Sequence, residues 1–92
     1  MASTRRPIIA GNWKMFKTTA EAEAFTEALW QKVQPRANAN LPEIVLCPPY
    51  TALSAVQASA AKLQAPFVTA AQNMESRDNG AYTGEISPLM LL

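Results

Sequence analysis

Three short apolar runs punctuate the chain, near residues 7–12, 43–47 and 66–71, and none shows the polar–apolar alternation of a half-solvated strand. Runs of this kind read as strands buried on both faces, the pattern of a parallel sheet covered by helices. The segments between them have helical spacing. In the first, Thr18 precedes Glu21 at capping-box distance, where hydroxyl and carboxylate each satisfy an orphan backbone N–H. Ala22, Phe25, Leu29 and Val33 then fall on one helical face, and Pro35 stops the run. Trp30 flanks that stripe as a packing residue at the helix–sheet boundary. A polar connector, Arg36 to Glu43, leads to the second run, which Pro48 and Pro49 terminate because neither can donate to a ladder. Thr51 is the expected cap of a second helix with apolar positions Leu53, Val56, Ala60 and Leu63.

Strand, helix, strand, helix, strand is the order of βαβ units, so the fold class is α/β with a parallel sheet. Folds of this class place their working groups at the carboxyl ends of the strands. Asn12 and Lys14 stand at that end of the first strand, and Gln72 and Asn73 at the matching end of the third. Amide and ammonium groups are poor strand residues and expensive to bury without a partner. Their place at a strand end points to a rim that receives a ligand. The Lys14 ammonium suits an anionic one, a phosphate or a carboxylate. A solvated lysine and a turn-capping asparagine are the plainer alternative.

Several classes are disfavoured by composition. Eight basic against seven acidic residues leave a net charge of +1, too little for a nucleic-acid binder working by bulk electrostatics. The apolar fraction of 49% suffices for a folded core. Cys47 is the single cysteine, a small hydrophobe in the second strand with no partner for an intrachain disulfide. No histidine occurs, which removes the commonest general acid/base and the commonest metal ligand. Gly11, Asn12 and Lys14 interrupt the apolar run near the amino terminus, so no secretory leader is expected, and no apolar stretch is long enough to span a bilayer. A cytoplasmic protein with no membrane association is the expectation. Walker loops, GxGxxG fingerprints, zinc spacings and nucleophile–base pairs are all missing.

After the third strand the chain runs through a long polar segment, Asn73 to Glu85, before Ser87 and Pro88 supply the start chemistry of a third helix. Connections this long in a compact α/β unit are usually working or contact loops. Tyr82 and Thr83 form its tip, with Gly80 and Gly84 as hinges on either side. A mobile solvent loop is the alternative.

Four motifs, AGNWKMF (Ala10 to Phe16), CPPYTAL (Cys47 to Leu53), AAQN (Ala70 to Asn73) and GAYTGEIS (Gly80 to Ser87), make the chain similar to the amino-terminal part of the triosephosphate isomerase family. Their order and spacing match over nearly the whole chain. The resemblance implies a (β/α)8 TIM barrel, with residues 1–92 as the amino-terminal segment of its single domain: three strands, two helices and the start of a third helix. It implies an aldose–ketose isomerase of glycolysis and gluconeogenesis, interconverting dihydroxyacetone phosphate and glyceraldehyde 3-phosphate without a cofactor. Asn12, Trp13 and Lys14 match the family's substrate segment. By the resemblance, Lys14 would be the electrostatic catalytic group, with Trp13 packing between its neighbours. Gln72, Asn73, Tyr82, Thr83 and Glu85 match the loop that docks into a twin subunit, with Thr83 reaching the twin's Asn-Lys pair.

The family's proton-moving groups, a glutamate base and an electrophilic histidine, are themselves a familiar case of pKa tuning. Both fall beyond Leu92 in the family pattern, and none of Glu21, Glu23, Glu27, Glu43, Glu75 or Glu85 lies in the base's motif. The chain alone is therefore expected to be inactive. Three parallel strands cannot close a barrel, so an open sheet edge, an exposed inner face and dependence on a partner are expected as well. A non-catalytic α/β module that binds a phosphorylated metabolite, or docks through the Tyr82–Thr83 loop, is the competing reading.

Overall fold

The structure, a computed structural model, describes residues 5–37 and 40–92. Asn38 and Ala39, in the middle of the expected connector, and residues 1–4 of the basic amino terminus lie outside the described residues. Strand β1 (Ile8–Asn12) is followed by helix α1 (Thr19–Val33), a 3-10 turn (Gln34–Arg36), β2 (Glu43–Cys47), α2 (Tyr50–Leu63), β3 (Val68–Thr69) and α3 (Pro88–Leu91). The sheet has the order β1-β2-β3, and both pairings are parallel.

The expected capping box forms at α1. The Thr18 N–H donates to Glu21 Oε1 at 2.9 Å, and the Glu21 N–H donates to Thr18 Oγ1 at 3.3 Å. Pro35 sits within the 3-10 turn that ends the α-helical run. Helix α2 starts differently from expectation: it begins at Tyr50, and Pro49 occupies the cap position without a side-chain bond. Pro49 already has the extended backbone of a cap residue, at φ −57° and ψ 156°, so the turn of the proline pair sets the start one residue before Thr51. At α3, Ser87 holds the cap position with Pro88 behind it, but its hydroxyl makes no capping bond.

Strand register sorts the side chains into two faces. Ile9 pairs with Ile44 and Gly11 with Leu46; Ile8 pairs with Glu43 and Ala10 with Val45. Side chains alternate along a strand, so Ile44 and Leu46 share the helix-covered face. There Leu46 joins Ala22, Ala52 and Val56 in the core, with Trp13, Leu29, Ile44 and Phe67 packed around them. Small residues at Ala22, Ala52 and Ala60 let the helices approach closely. Trp30 meets Phe67 edge-on at 5.9 Å, the packing role expected of it.

The strands are not buried on both faces. Ile8 is 62% and Ile9 60% exposed, and Val68 is 43% exposed. Within these residues β1 and β3 are both sheet edges, and no layer covers the face that carries Ile8, Val45 and Val68. The third strand is also shorter than the expected 66–71. Only Val68 and Thr69 have ladder partners, though the Ala70 N–H continues to the Leu46 carbonyl at 3.0 Å. With β2 on one side only, its backbone has half the usual partners.

Candidate functional site at the carboxyl rim of the sheet

Asn12 closes β1, and the chain then turns through Lys14 at φ 57°. A non-glycine residue in this left-handed region carries strain of about 1–2 kcal/mol. Bonds from three parts of the chain hold it there. The Asn12 side chain accepts the Lys14 N–H at 3.0 Å, and Gln72 Nε2 donates to the Lys14 carbonyl at 2.9 Å. The same Gln72 nitrogen donates to the Cys47 carbonyl at 2.9 Å, and that carbonyl also accepts the Trp13 N–H at 3.1 Å. One amide from beyond β3 thus ties together the ends of β1 and β2. Lys14 itself is exposed, with its backbone fixed on both sides.

Trp13 turns toward the helices. It is partly buried and meets the Phe25 ring edge-on, with centroids 5.1 Å apart and planes at 76°. A groove of about 710 Å³ runs past it beside β1, lined among others by Ile9, Phe25, Leu29 and Val33; Asn12 and Lys14 do not line it. Asn12 and Lys14 are both exposed at the rim.

The loop after Gln72 is tied to itself. Its base is fastened where the Tyr50 hydroxyl donates to the Asn73 carbonyl, and its two arms meet where the Glu75 N–H donates to the Ile86 carbonyl at 2.8 Å. A closed loop of this length with its ends in contact is an Ω-loop. Inside it the Glu75 carboxylate accepts the Arg77 N–H at 3.2 Å, the Arg77 guanidinium at 2.9 Å and the Ser76 hydroxyl at 3.3 Å. The Arg77 N–H and guanidinium hold the Glu75 carboxyl below its ordinary range. Arg77 also lies 4.5 Å from the Tyr82 ring centroid. At Gly80, φ is 145°, and a Cβ there would fall 2.6 Å from the Tyr82 ring, so only glycine fits. Gly84 is also left-handed, at φ 87°. Thr83 and Glu85 are exposed at the tip, and Ser87 is buried beneath it with its hydroxyl unpartnered.

Sequence reasoning found Asn12, Lys14 and the loop, and the structure brings Asn12, Lys14 and Gln72 together at one rim. It does not bring Tyr82 or Thr83 to that rim within the described bonds. The bracing action of Gln72 was missed, as were the Tyr50 anchor, the Glu75–Arg77–Tyr82 clasp and the contact of Phe25 with Trp13. A glutamine at the end of a buried strand was the available signal for the first. Among the described residues no cluster of three or more His, Cys, Asp or Glu side chains could hold a metal ion, and no helix is long and apolar enough to cross a membrane.

Comparison with known proteins agrees with the topology. The family model described as triosephosphate isomerase matches residues 7–92. A triosephosphate isomerase of Gloeobacter violaceus is 47% identical over 88 residues, covering 96% of this chain and 34% of the relative. One of Alkaliphilus metalliredigens is 50% identical over 87 residues, covering 95% of this chain and 33% of the relative. One of Chloroflexus aurantiacus is 43% identical over 88 residues, with 96% and 33% covered. The chain spans about a third of the length of the curated relatives it matches.

Proposed function

The chain belongs to the triosephosphate isomerase family, and from that premise we propose that it supplies the first third of an enzyme interconverting dihydroxyacetone phosphate and glyceraldehyde 3-phosphate. What supports this reading is Lys14: a lysine in left-handed backbone at a strand's carboxyl end, with its N–H held by Asn12 and its carbonyl by Gln72. Strain that a fold maintains by several bonds is a mark of a working residue.

In this reading the substrate's phosphate and oxygens sit over the rim. A proton leaves the carbon next to the carbonyl, and negative charge builds on the carbonyl oxygen as an enediolate forms. A fixed ammonium near that oxygen is stabilising most when the charge is greatest, so it lowers the barrier instead of merely binding substrate. Asn12 orients Lys14 and adds a polar contact at the rim. Trp13 packs the turn onto the helices. The proton-moving groups come from the remainder of the polypeptide, whose length for this barrel is about 250 residues.

The Ω-loop is the proposed contact with a twin subunit. Gln72 and Asn73 anchor it, Tyr82 and Thr83 present its tip, and Glu85 follows at the second hinge. Its internal clasp suits docking, because a loop already ordered loses little freedom on binding. The enzyme acts in this proposal as a cytoplasmic homodimer of glycolysis and gluconeogenesis, without nucleic acid or membrane as partner.

The test is an isomerase assay in both directions on the full-length polypeptide and on its Lys14→Met variant. Activity on both trioses that collapses in the variant is the expected result. A full-length protein that binds triose phosphates without interconverting them would leave the non-catalytic module in its place.

A further inference from the structure

The turn that carries Lys14 contains a second left-handed lysine, Lys17, at φ 79°. Each imposes strain on an L-residue, so the fold must restrain both ends of the turn. At the start of the turn the restraint is the set of bonds from Asn12, Cys47 and Gln72. At its end stands a ring. Lys17 Nζ lies 5.0 Å from the centroid of Phe25. The same ring receives Trp13 edge-on at 5.1 Å, so it touches the residues that bracket Lys14, Met15 and Phe16. Phe25 rides on α1, and the Thr18–Glu21 capping box fixes the start of that helix directly after the turn.

We propose that Phe25 is a positioning residue for Lys14: its ring clips both ends of the strained turn to α1 and so fixes the backbone from which the Lys14 side chain projects. This rests on the reading of Lys14 as a substrate-site residue and deepens it. The requirement is for an aromatic. A ring face attracts an ammonium through its quadrupole, and a ring pair favours the edge-to-face arrangement seen with Trp13. Leucine would keep an apolar contact and lose both. Phe25 is 36% exposed and lines the apolar groove beside β1 with Ile9 and Leu29.

The experiment uses the full-length protein with Phe25→Leu, Phe25→Tyr and Lys17→Gly, reading amide hydrogen exchange beside steady-state kinetics. In Phe25→Leu, the Trp13 and Lys14 amides are expected to exchange about tenfold faster while the β2 amides keep their rates, since local opening alone is affected. In the same variant kcat falls several-fold with KM nearly unchanged, as expected when a reacting group is misplaced. Phe25→Tyr restores both readouts. Lys17→Gly relieves the backbone strain and removes the ammonium, and it should still speed exchange at Lys14. Equal acceleration across β2 would show a purely structural ring, and unchanged exchange at Lys14 would show no clip; either overturns the proposal. Localised exchange effects in a protein without isomerase activity would uphold the clip and remove the enzymatic reading. Full activity with no exchange effect would do the reverse.

Discussion

At Lys14 the backbone of one residue collects bonds from residues far apart in the chain: Asn12 two residues before it and Gln72, 58 residues on. That difference in distance separates what the sequence made legible from what it did not. Asn12 and Lys14 could be placed at a rim because an apolar run ends beside them. The left-handed turn could not be read, because no glycine marks it and the amide that stabilises it arrives from beyond β3. Two predictions belong here, both for the full-length protein. On the proposed function, Lys14→Met removes the charge that would face the developing oxyanion and should lower kcat/KM by a few hundredfold, about 3–4 kcal/mol. Melting temperature should hardly move, since Lys14 is exposed. Gln72→Leu leaves the charge in place but frees the Lys14 carbonyl. It should lower kcat, by up to about a hundredfold for a displacement near 1 Å, with little change in KM. Steady-state kinetics beside thermal melts check both, and near-normal kinetics in either variant would reduce the rim to a solvated strand end.

Among the elements, α1 shows how a local signal survives into the fold, since Thr18 and Glu21 form the box that their spacing announces. The Glu21 carboxyl is held below its ordinary 4.5 chiefly by the Thr18 backbone N–H, then by the Thr18 hydroxyl, with Lys17 adding a smaller effect. A depressed folded value means the unfolded chain binds the proton more tightly. The stabilisation is therefore complete above about pH 4.5 and is lost as pH falls through the folded value. The Arg77 contacts give Glu75 the same sign, so acid should loosen the Ω-loop as well. Circular dichroism of wild type and Glu21→Gln over this range should show a shallower acid loss of helix in the variant; identical profiles would remove the box from the acid response. Helix α2 teaches the opposite lesson about local signals. Thr51 looked like a cap, but the proline pair before it already sets the extended backbone that a cap requires. In the Ω-loop, the glycine hinges were legible and the clasp between Glu75, Arg77 and Tyr82 was not, because a charged run reads as solvated until its neighbours are known. Gly80→Ala should strain the loop twice, through φ 145° and the contact with Tyr82. Sedimentation of that full-length variant should show more monomer together with lower activity, and an intact, fully active dimer would refute the interface reading.

Taken whole, the described residues form a slab, one layer of helices on one layer of sheet, 48 × 39 × 21 Å in extent. Its radius of gyration is 15.2 Å, against about 12 Å for a compact domain of this length. Among the described residues the sheet closes on nothing. Both edge strands have an open side, and Ile8 and Val68 lie on the uncovered face. The sequence predicted strands buried twice over because it is written for a sheet with a filled interior; those same apolar residues become a liability when the interior is missing. Hydrophobic stabilisation scales with area removed from water, at about 25 cal/mol per Å², and a chain this short buries only about 60–65% of its unfolded surface even when compact. A half-covered sheet buries less. The isolated 92-residue chain should accordingly retain helix in the far ultraviolet, bind a hydrophobic dye, and self-associate as concentration rises. It should show no isomerase turnover above a buffer control, because it holds a lysine at the rim but no histidine or family-type base to move a proton. Dye binding, sedimentation and a coupled assay on material free of host enzyme decide both points. A monomer that unfolds cooperatively without binding dye would show that two layers and a capped rim suffice for a fold, and turnover would show that the proton can be moved from within these residues.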